Sequence, residues 1–217
     1  MKRRTFSNYM LLLVFIFFFA SIFFHLLRDF SWTSSNAIVS LIGVLSIGLY
    51  WYVVKRFNLL MPATMNFYMA VLAFMAYFMG ETLGFYERFP IWDTLLHFSS
   101  GFIVAALGYS LVDLPKYGMG PRLKATFAFS FSMMVGVVWE VLEFFIDSSF
   151  GTNMQRFLYI SGEPMVGQQA LLDTMQDFLE CITGALLLLL LIYLKHRFKW
   201  RLLDGFVVKA AQPEFDI

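Results

Sequence analysis

Hydrophobic positions along this chain gather into six long blocks, at about 8–27, 36–54, 64–84, 92–112, 124–147 and 171–194. Each is close to the roughly 20 mainly apolar residues with which a helix crosses a hydrocarbon layer about 30 Å thick. The pattern predicts an all-α polytopic membrane bundle of six transmembrane helices, forming one integral domain over 1–217. What remains is a short basic N-terminus, five connections of which only 148–170 is long, and a tail at 195–217, so no extramembrane domain fits. The Lys2-Arg3-Arg4 start has the charge of a signal peptide. The run after it is too long, lacks a small-residue cleavage site and opens a polytopic chain, so it reads as a retained first helix. The sequence shows no internal repeat and no lipidation box.

Composition supports this reading. Of 217 residues, 59% are hydrophobic and only 14% charged, against about 45–50% and about 25% in soluble domains. A single cysteine, Cys181, permits neither an internal disulfide nor a cysteine-based zinc site. The net charge of +1 gives no reason to expect nucleic acid.

That near-neutral balance conceals a strong asymmetry. Lys and Arg are retained on the cytoplasmic side of short loops. Lys2, Arg3, Arg4, Lys55, Arg56, Lys116, Arg122, Lys124, Lys195, Arg197, Lys199, Arg201 and Lys209 fall on one side of the six spans, and only Arg28, Arg88 and Arg156 on the other. Both termini are therefore expected in the cytoplasm and loop 148–170 outside. Of the fifteen acids, eleven fall in the outer half: Asp29, Glu81, Glu87, Asp93, Glu140, Glu143, Asp147, Glu163, Asp173, Asp177 and Glu180.

Several of these acids lie inside the apolar blocks, where insertion scales charge about 2.5–3.5 kcal/mol for an ionised residue at a span centre. Their spacing places them on helix faces, since residues three and four apart stack on one side. Asp93 and His97 are i, i+4; Glu140, Glu143 and Asp147 share a narrow arc; Asp173, Asp177 and Glu180 share another, which Gly184 continues. At about 1.5 Å per residue from the outer helix ends, His97 lies about 6 Å deep and Glu140 and Glu180 about 10 Å deep. Lipid offers such groups no partners, so the three faces are expected to turn toward one another or toward a water-filled pocket.

So many neighbouring carboxylates cannot all stay ionised without cations. Either several hold protons and share hydrogen bonds, or a bound metal neutralises them. Oxygen-rich ligation with one imidazole suits Mg²⁺, Mn²⁺, Ca²⁺ or Zn²⁺. The candidate metal ligands are Asp93, His97, Glu140, Glu143 and Asp177, with Asp173 or Glu180 as the catalytic base and Arg156 as the basic group placed to meet an anionic substrate or to pair with the acids. Asp93 and Asp173 also sit in first turns, where a carboxylate complements the helix dipole. His25 reads as an interface anchor and His196 as solvated; Ser99 and Ser100, so near His97 on one helix, do not aim at its ring nitrogens. Cys181 reads as unreactive in its acidic, partly apolar setting. The glycines Gly101, Gly108, Gly136 and Gly184 allow close helix contact.

The segments W-D-T-L-L-H-F-S-S-G (92–101), W-E-V-L-E-F (139–144) and D-T-M-Q-D-F-L-E-C-I-T-G-A (173–185) resemble the pattern of the bacterial inner-membrane proteins of the YjdF type. They are more distantly similar to the VanZ-like family associated with glycopeptide tolerance. On the VanZ-like pattern Asp93, His97, Phe98, Glu140, Asp177 and Gly184 match, while Thr94, Glu143 and Cys181 stand where that family carries Lys, Gln and Asn. The resemblance covers residues 81–187. It implies a multi-pass protein of the bacterial inner membrane and supplies no reaction.

Three functions compete. The first is a metal-assisted hydrolase or transferase acting on a lipid or envelope precursor at the outer leaflet, under the cover of loop 148–170. The second is a proton- or cation-coupled transporter, for which the charge-free cytoplasmic helix halves show no through-path within one protomer. The third is a non-catalytic protein that binds an envelope molecule. Nothing in the sequence fixes the oligomeric state.

Overall fold

The computed structural model describes residues 16, 23, 35–56, 59–113, 118–159, 161–199 and 209–210. The first expected span, 8–27, lies outside the described residues except at two positions. Among the described residues the regular structure is helical, apart from a short antiparallel pairing in which β1 (Leu59–Leu60) meets β2 (Lys209–Ala210) and an isolated bridge between Leu158 and Pro164.

Helix α1 is Ser35–Arg56, and its last turn carries Lys55 and Arg56. Helix α2, Ala63–Ala73, passes without a break into a π-helical stretch, Phe74–Thr82, that closes with Leu83 N–H donating to the Phe78 carbonyl at 3.0 Å. Gly84 ends it in the left-handed conformation, and a one-turn helix α3 (Phe85–Arg88) leads into α4, Trp92–Val112. Helix α5, Pro121–Phe150, has proline in its first turn, where the missing N–H costs nothing, and stops at a left-handed Gly151 whose N–H donates to the Asp147 carbonyl at 2.9 Å. A 3₁₀ turn, Gly167–Leu171, opens the final helix α6, Leu172–Phe198, which ends in Lys195, His196 and Arg197 against the negative end of its dipole.

Among the described residues three helices, α4, α5 and α6 with its 3₁₀ lead, are long and apolar enough to cross a membrane, and a shorter apolar helix covers Thr64–Gly80. The fifth and sixth expected spans, 124–147 and 171–194, both prove longer than hydropathy alone suggested. Pro121 and Gly151 bound α5 chemically, and the basic end of α6 extends past its last leucine.

Helices α4 and α6 run side by side in the same direction. A Cβ added at Gly184 would lie 2.9 Å from the Phe102 backbone nitrogen, and one added at Gly101 would lie 2.7 Å from the Cys181 Cα. Glycine at both positions lets the two backbones touch, the close approach on which helix association in lipid depends. Helix α5 packs antiparallel across this pair, and Ser132 Oγ donates to the Gly101 carbonyl at 2.9 Å. Farther along, Met65, Ala105, Ala106, Ala185 and Leu188 form a buried apolar cluster.

The polarity of α5 is reversed relative to a water-soluble helix. Val137, Val138, Val141, Leu142, Phe144 and Phe145 are exposed, while Glu140, Glu143 and Asp147 are buried. A bilayer solvates the first set and cannot solvate the second, so this helix faces its acids inward.

Candidate functional site

The start of α4, the end of α5 and the start of α6 meet at one end of the bundle and bring the acidic faces together. Asp93 lies in the first turn of α4, and His97 stands one turn later. His97 Nε2 is 3.6 Å from Asp93 Oδ1 on its own helix and 3.8 Å from Asp177 Oδ1 on α6. On the other ring edge, Nδ1 is 3.9 Å from Cys181 Sγ, and that thiol also reaches the His97 carbonyl at 3.5 Å.

Two sets of candidate ligand atoms result. Asp93, His97 and Asp177 form one, and Glu140, Glu143 and Asp177 the other; within each set the atoms lie within 4.8 Å of one another. Asp177 belongs to both, and it is 3% exposed. All five residues expected as metal ligands are thus gathered at one place.

Glu140 carries an informative detail. It is 4% exposed, and its Oε1 has no hydrogen-bond partner among the described residues. Its Oε2 receives only a long contact, 3.4 Å, from the amide of Gln155. A buried carboxylate oxygen with no donor costs several kcal/mol if ionised, which a cation or a shared proton relieves. Buried oxygens of Asp173 and Glu180, Oδ2 and Oε2, also lack partners among the described residues. Glu180 lies outside both ligand sets.

Arg156 pairs with two of the acids. Its Nη2 is 3.4 Å from Asp93 Oδ2 and its Nε 3.9 Å from Asp173 Oδ1, while its guanidinium carbon sits 5.5 Å from the centre of the Tyr86 ring. The backbone there has φ 45°, a left-handed conformation uncommon for a residue with a Cβ. A turn in which the Arg156 N–H donates to the Asn153 carbonyl at 3.2 Å fixes this geometry.

Asp147 serves the loop. Its carboxylate accepts from the Thr152 hydroxyl, from the Met154 N–H at 2.8 Å and from the Gln155 N–H at 3.0 Å. Those bonds hold the segment that carries Gln155 and Arg156 over the site. Gln155 was not among the expected site residues, yet its amide also donates to the Glu140 carbonyl at 3.4 Å and the Thr174 hydroxyl at 3.1 Å. Its place beside Arg156 in the long loop 148–170 was the available signal. The Ser100 hydroxyl donates to the His97 carbonyl at 2.9 Å, a local helix bond that turns it away from the imidazole.

Beside this cluster lies a cavity of about 250 Å³ between α2, the π-helical stretch, α4 and α5. His97 and Tyr86 stand in its wall, so the cavity and the acidic cluster share a boundary.

Residues 7–198 match the family model DUF2238, described as a predicted membrane protein. The chain is 31% identical over 127 residues to a protein of Thermotoga maritima described as an uncharacterized protein. That match takes in 57% of this chain and 59% of the relative's length. No solved structure matches.

Proposed function

Starting from the fact that this chain belongs to the DUF2238 family of predicted membrane proteins, we propose that it is a metal-assisted hydrolase or transferase acting on a lipid or envelope precursor. The observation that carries this reading is the pair of ligand sets joined by Asp177, with a buried and undonated Glu140 oxygen within one of them. Acids that merely stabilise a polar core through hydrogen bonds rarely leave such an oxygen.

Asp93, His97, Glu140, Glu143 and Asp177 would hold one or two divalent cations. The donors are hard oxygens with a single imidazole, which fits Mg²⁺, Mn²⁺, Ca²⁺ or Zn²⁺. Such an ion supplies Lewis acidity toward a phosphoryl or acyl oxygen. Glu180 is the general base of this scheme: it lies one turn beyond Asp177 on the same face of α6 and outside both ligand sets. Asp173 is drawn into the ion pair with Arg156, which favours a positioning role over a proton-transfer role. Arg156 offers a cation to an anionic group at the mouth of the site.

The reading places the chain in the bacterial inner membrane as six spans with both termini cytoplasmic, so that the site faces outward. Support comes from the distribution of Lys and Arg along the sequence. A fluorescent-protein fusion at the C-terminus should be bright, and an alkaline phosphatase fusion within 157–166 should be active; the reverse pattern overturns the orientation.

The function is tested by elemental analysis of purified protein, wild type beside His97→Ala, with release of head group from outer-leaflet lipids followed in parallel. Stoichiometric metal in the wild type, reduced together with turnover in the variant, is expected. No stoichiometric metal in either protein removes the hydrolase reading.

A further inference from the structure

The cavity beside His97 is lined mainly by carbon and offers water few free hydrogen-bonding groups. Three of its polar lining groups are already engaged: the Tyr50 hydroxyl donates to Asn66 Oδ1, Ser100 Oγ to the His97 carbonyl and Ser132 Oγ to the Gly101 carbonyl. The remainder of the wall is largely alanine, leucine, valine and aromatic carbon, such as Ala73, Ala76, Leu96, Val104 and Val135. A water needs two to four polar partners to settle in a cavity, and apolar cavities of about 150 Å³ stay dry and take up hydrocarbon. At about 250 Å³, this one suits a hydrocarbon occupant better than water.

Its shape follows from two local features. The π-helical stretch contributes Ala76 and Tyr77 to the wall. Gly80 on the same stretch leaves room for the Tyr86 ring, since a Cβ there would come within 2.8 Å of Tyr86 Cδ2. The ring so seated has the cavity on one side and the Arg156 guanidinium 5.5 Å from its centre. Thus one boundary, His97 and Tyr86, separates a hydrocarbon-lined space from a cluster of carboxylates and a guanidinium. Ligands that match both halves are amphiphiles.

We infer that this site binds an anionic amphiphilic lipid, with part of one hydrocarbon chain in the cavity between α2, α4 and α5 and the anionic head group against Arg156 and the carboxylate-held cation. The inference rests on the metal-bearing reading above, because without a cation the acids would repel an anion. It adds the class of substrate and the place where its tail sits.

The test reconstitutes the full chain in vesicles of phosphatidylethanolamine and phosphatidylglycerol doped with a phosphatidylglycerol that bears a diazirine midway along one acyl chain. After photolysis, labelled residues are mapped by mass spectrometry, and metal content is measured on the same samples. Label on Val104 or Trp139, which line the cavity without being exposed, is expected in the wild type. It should fall about tenfold in both Ala76→Phe and Val135→Phe, which fill the cavity from opposite walls, with metal content retained; a tenfold loss corresponds to about 1.4 kcal/mol. Label confined to exposed helix faces in the wild type overturns the proposal. So does lining label that persists in both variants, or equal labelling by a diazirine alkane with no head group. Metal absent from the wild type is a separate result, which removes the hydrolase reading and is distinguishable from a failure of the tail seat.

Discussion

Asp177 stands 3.8 Å from Nε2 of His97 across the contact between α6 and α4, and among the described residues it is the one carboxylate that belongs to both candidate ligand sets. That position gives it more influence over the site than any other acid. Asp177→Asn keeps the volume and removes the charge, so both sets lose their shared ligand. Loss of an outer-shell partner typically weakens metal affinity about 10–100-fold, and loss of Asp177 should exceed that. The measurement is divalent-cation affinity by isothermal titration beside Asp93→Asn, which should weaken one set only. Equal losses in the two variants would show that Asp177 is not shared.

Arg156 supplies the positive charge nearest to Asp93 and Asp173. In Arg156→Gln those carboxylates lose their cation, and on the metal-bearing proposal a divalent metal would become the main neutralising charge. The variant should melt below wild type in chelator and gain more than wild type does when Mg²⁺ or Mn²⁺ is added, because a ligand that binds only the folded state stabilises it by mass action. The check is Tm in detergent with and without metal; identical metal-induced shifts would count against the arrangement.

Asp147 is expected to act on the loop. With its carboxylate removed in Asp147→Ala, the Thr152 hydroxyl and the Met154 and Gln155 N–H groups lose their acceptor. Hydrogen bonds to a charged group contribute about 1.5–3 kcal/mol each to local stability. Hydrogen–deuterium exchange at 152–156 should rise by an order of magnitude or more relative to the cores of α4 and α6. Unchanged protection would place the hold on this loop elsewhere.

Gly184→Ala tests the helix contact that aligns the site. Its Cβ would lie 2.9 Å from the Phe102 nitrogen and 3.0 Å from the Phe98 carbonyl carbon, and backbone cannot swing aside as a side chain can. Overpacking costs about 1–3 kcal/mol. Thermal denaturation should show a lowered Tm, and because Asp177 lies two turns away on α6, metal affinity should fall as well. Gly136→Ala is the control: its Cβ would meet Cys181 Sγ at an ordinary 3.6 Å and should change little.

Part of the site is legible in the sequence. Spacing alone put Asp93 with His97, Glu140 with Glu143, and Asp173 with Asp177, because a helix repeats every 3.6 residues and neighbours at three and four share a face. The cost of unpartnered acids in hydrocarbon then required those faces to meet. Roles were harder to read. Asp147 is another carboxylate on the same helix face as Glu143, and only the fold of the following loop shows it accepting from Thr152, Met154 and Gln155. Gln155 itself, uncharged and in a loop, gave no periodic signal.

The sequence by itself determined that this is a helical membrane chain with acids on three helix faces, because hydropathy and spacing are local properties that one helix expresses alone. Only the tertiary structure decided that Asp177 joins two candidate ligand sets, that Arg156 pairs across helices with Asp93 and Asp173, and that an apolar cavity shares a wall with His97. Those relationships depend on the direction and distance at which α4, α5 and α6 pack. Close approach at Gly101 and Gly184 sets that distance, and no single helix carries the information.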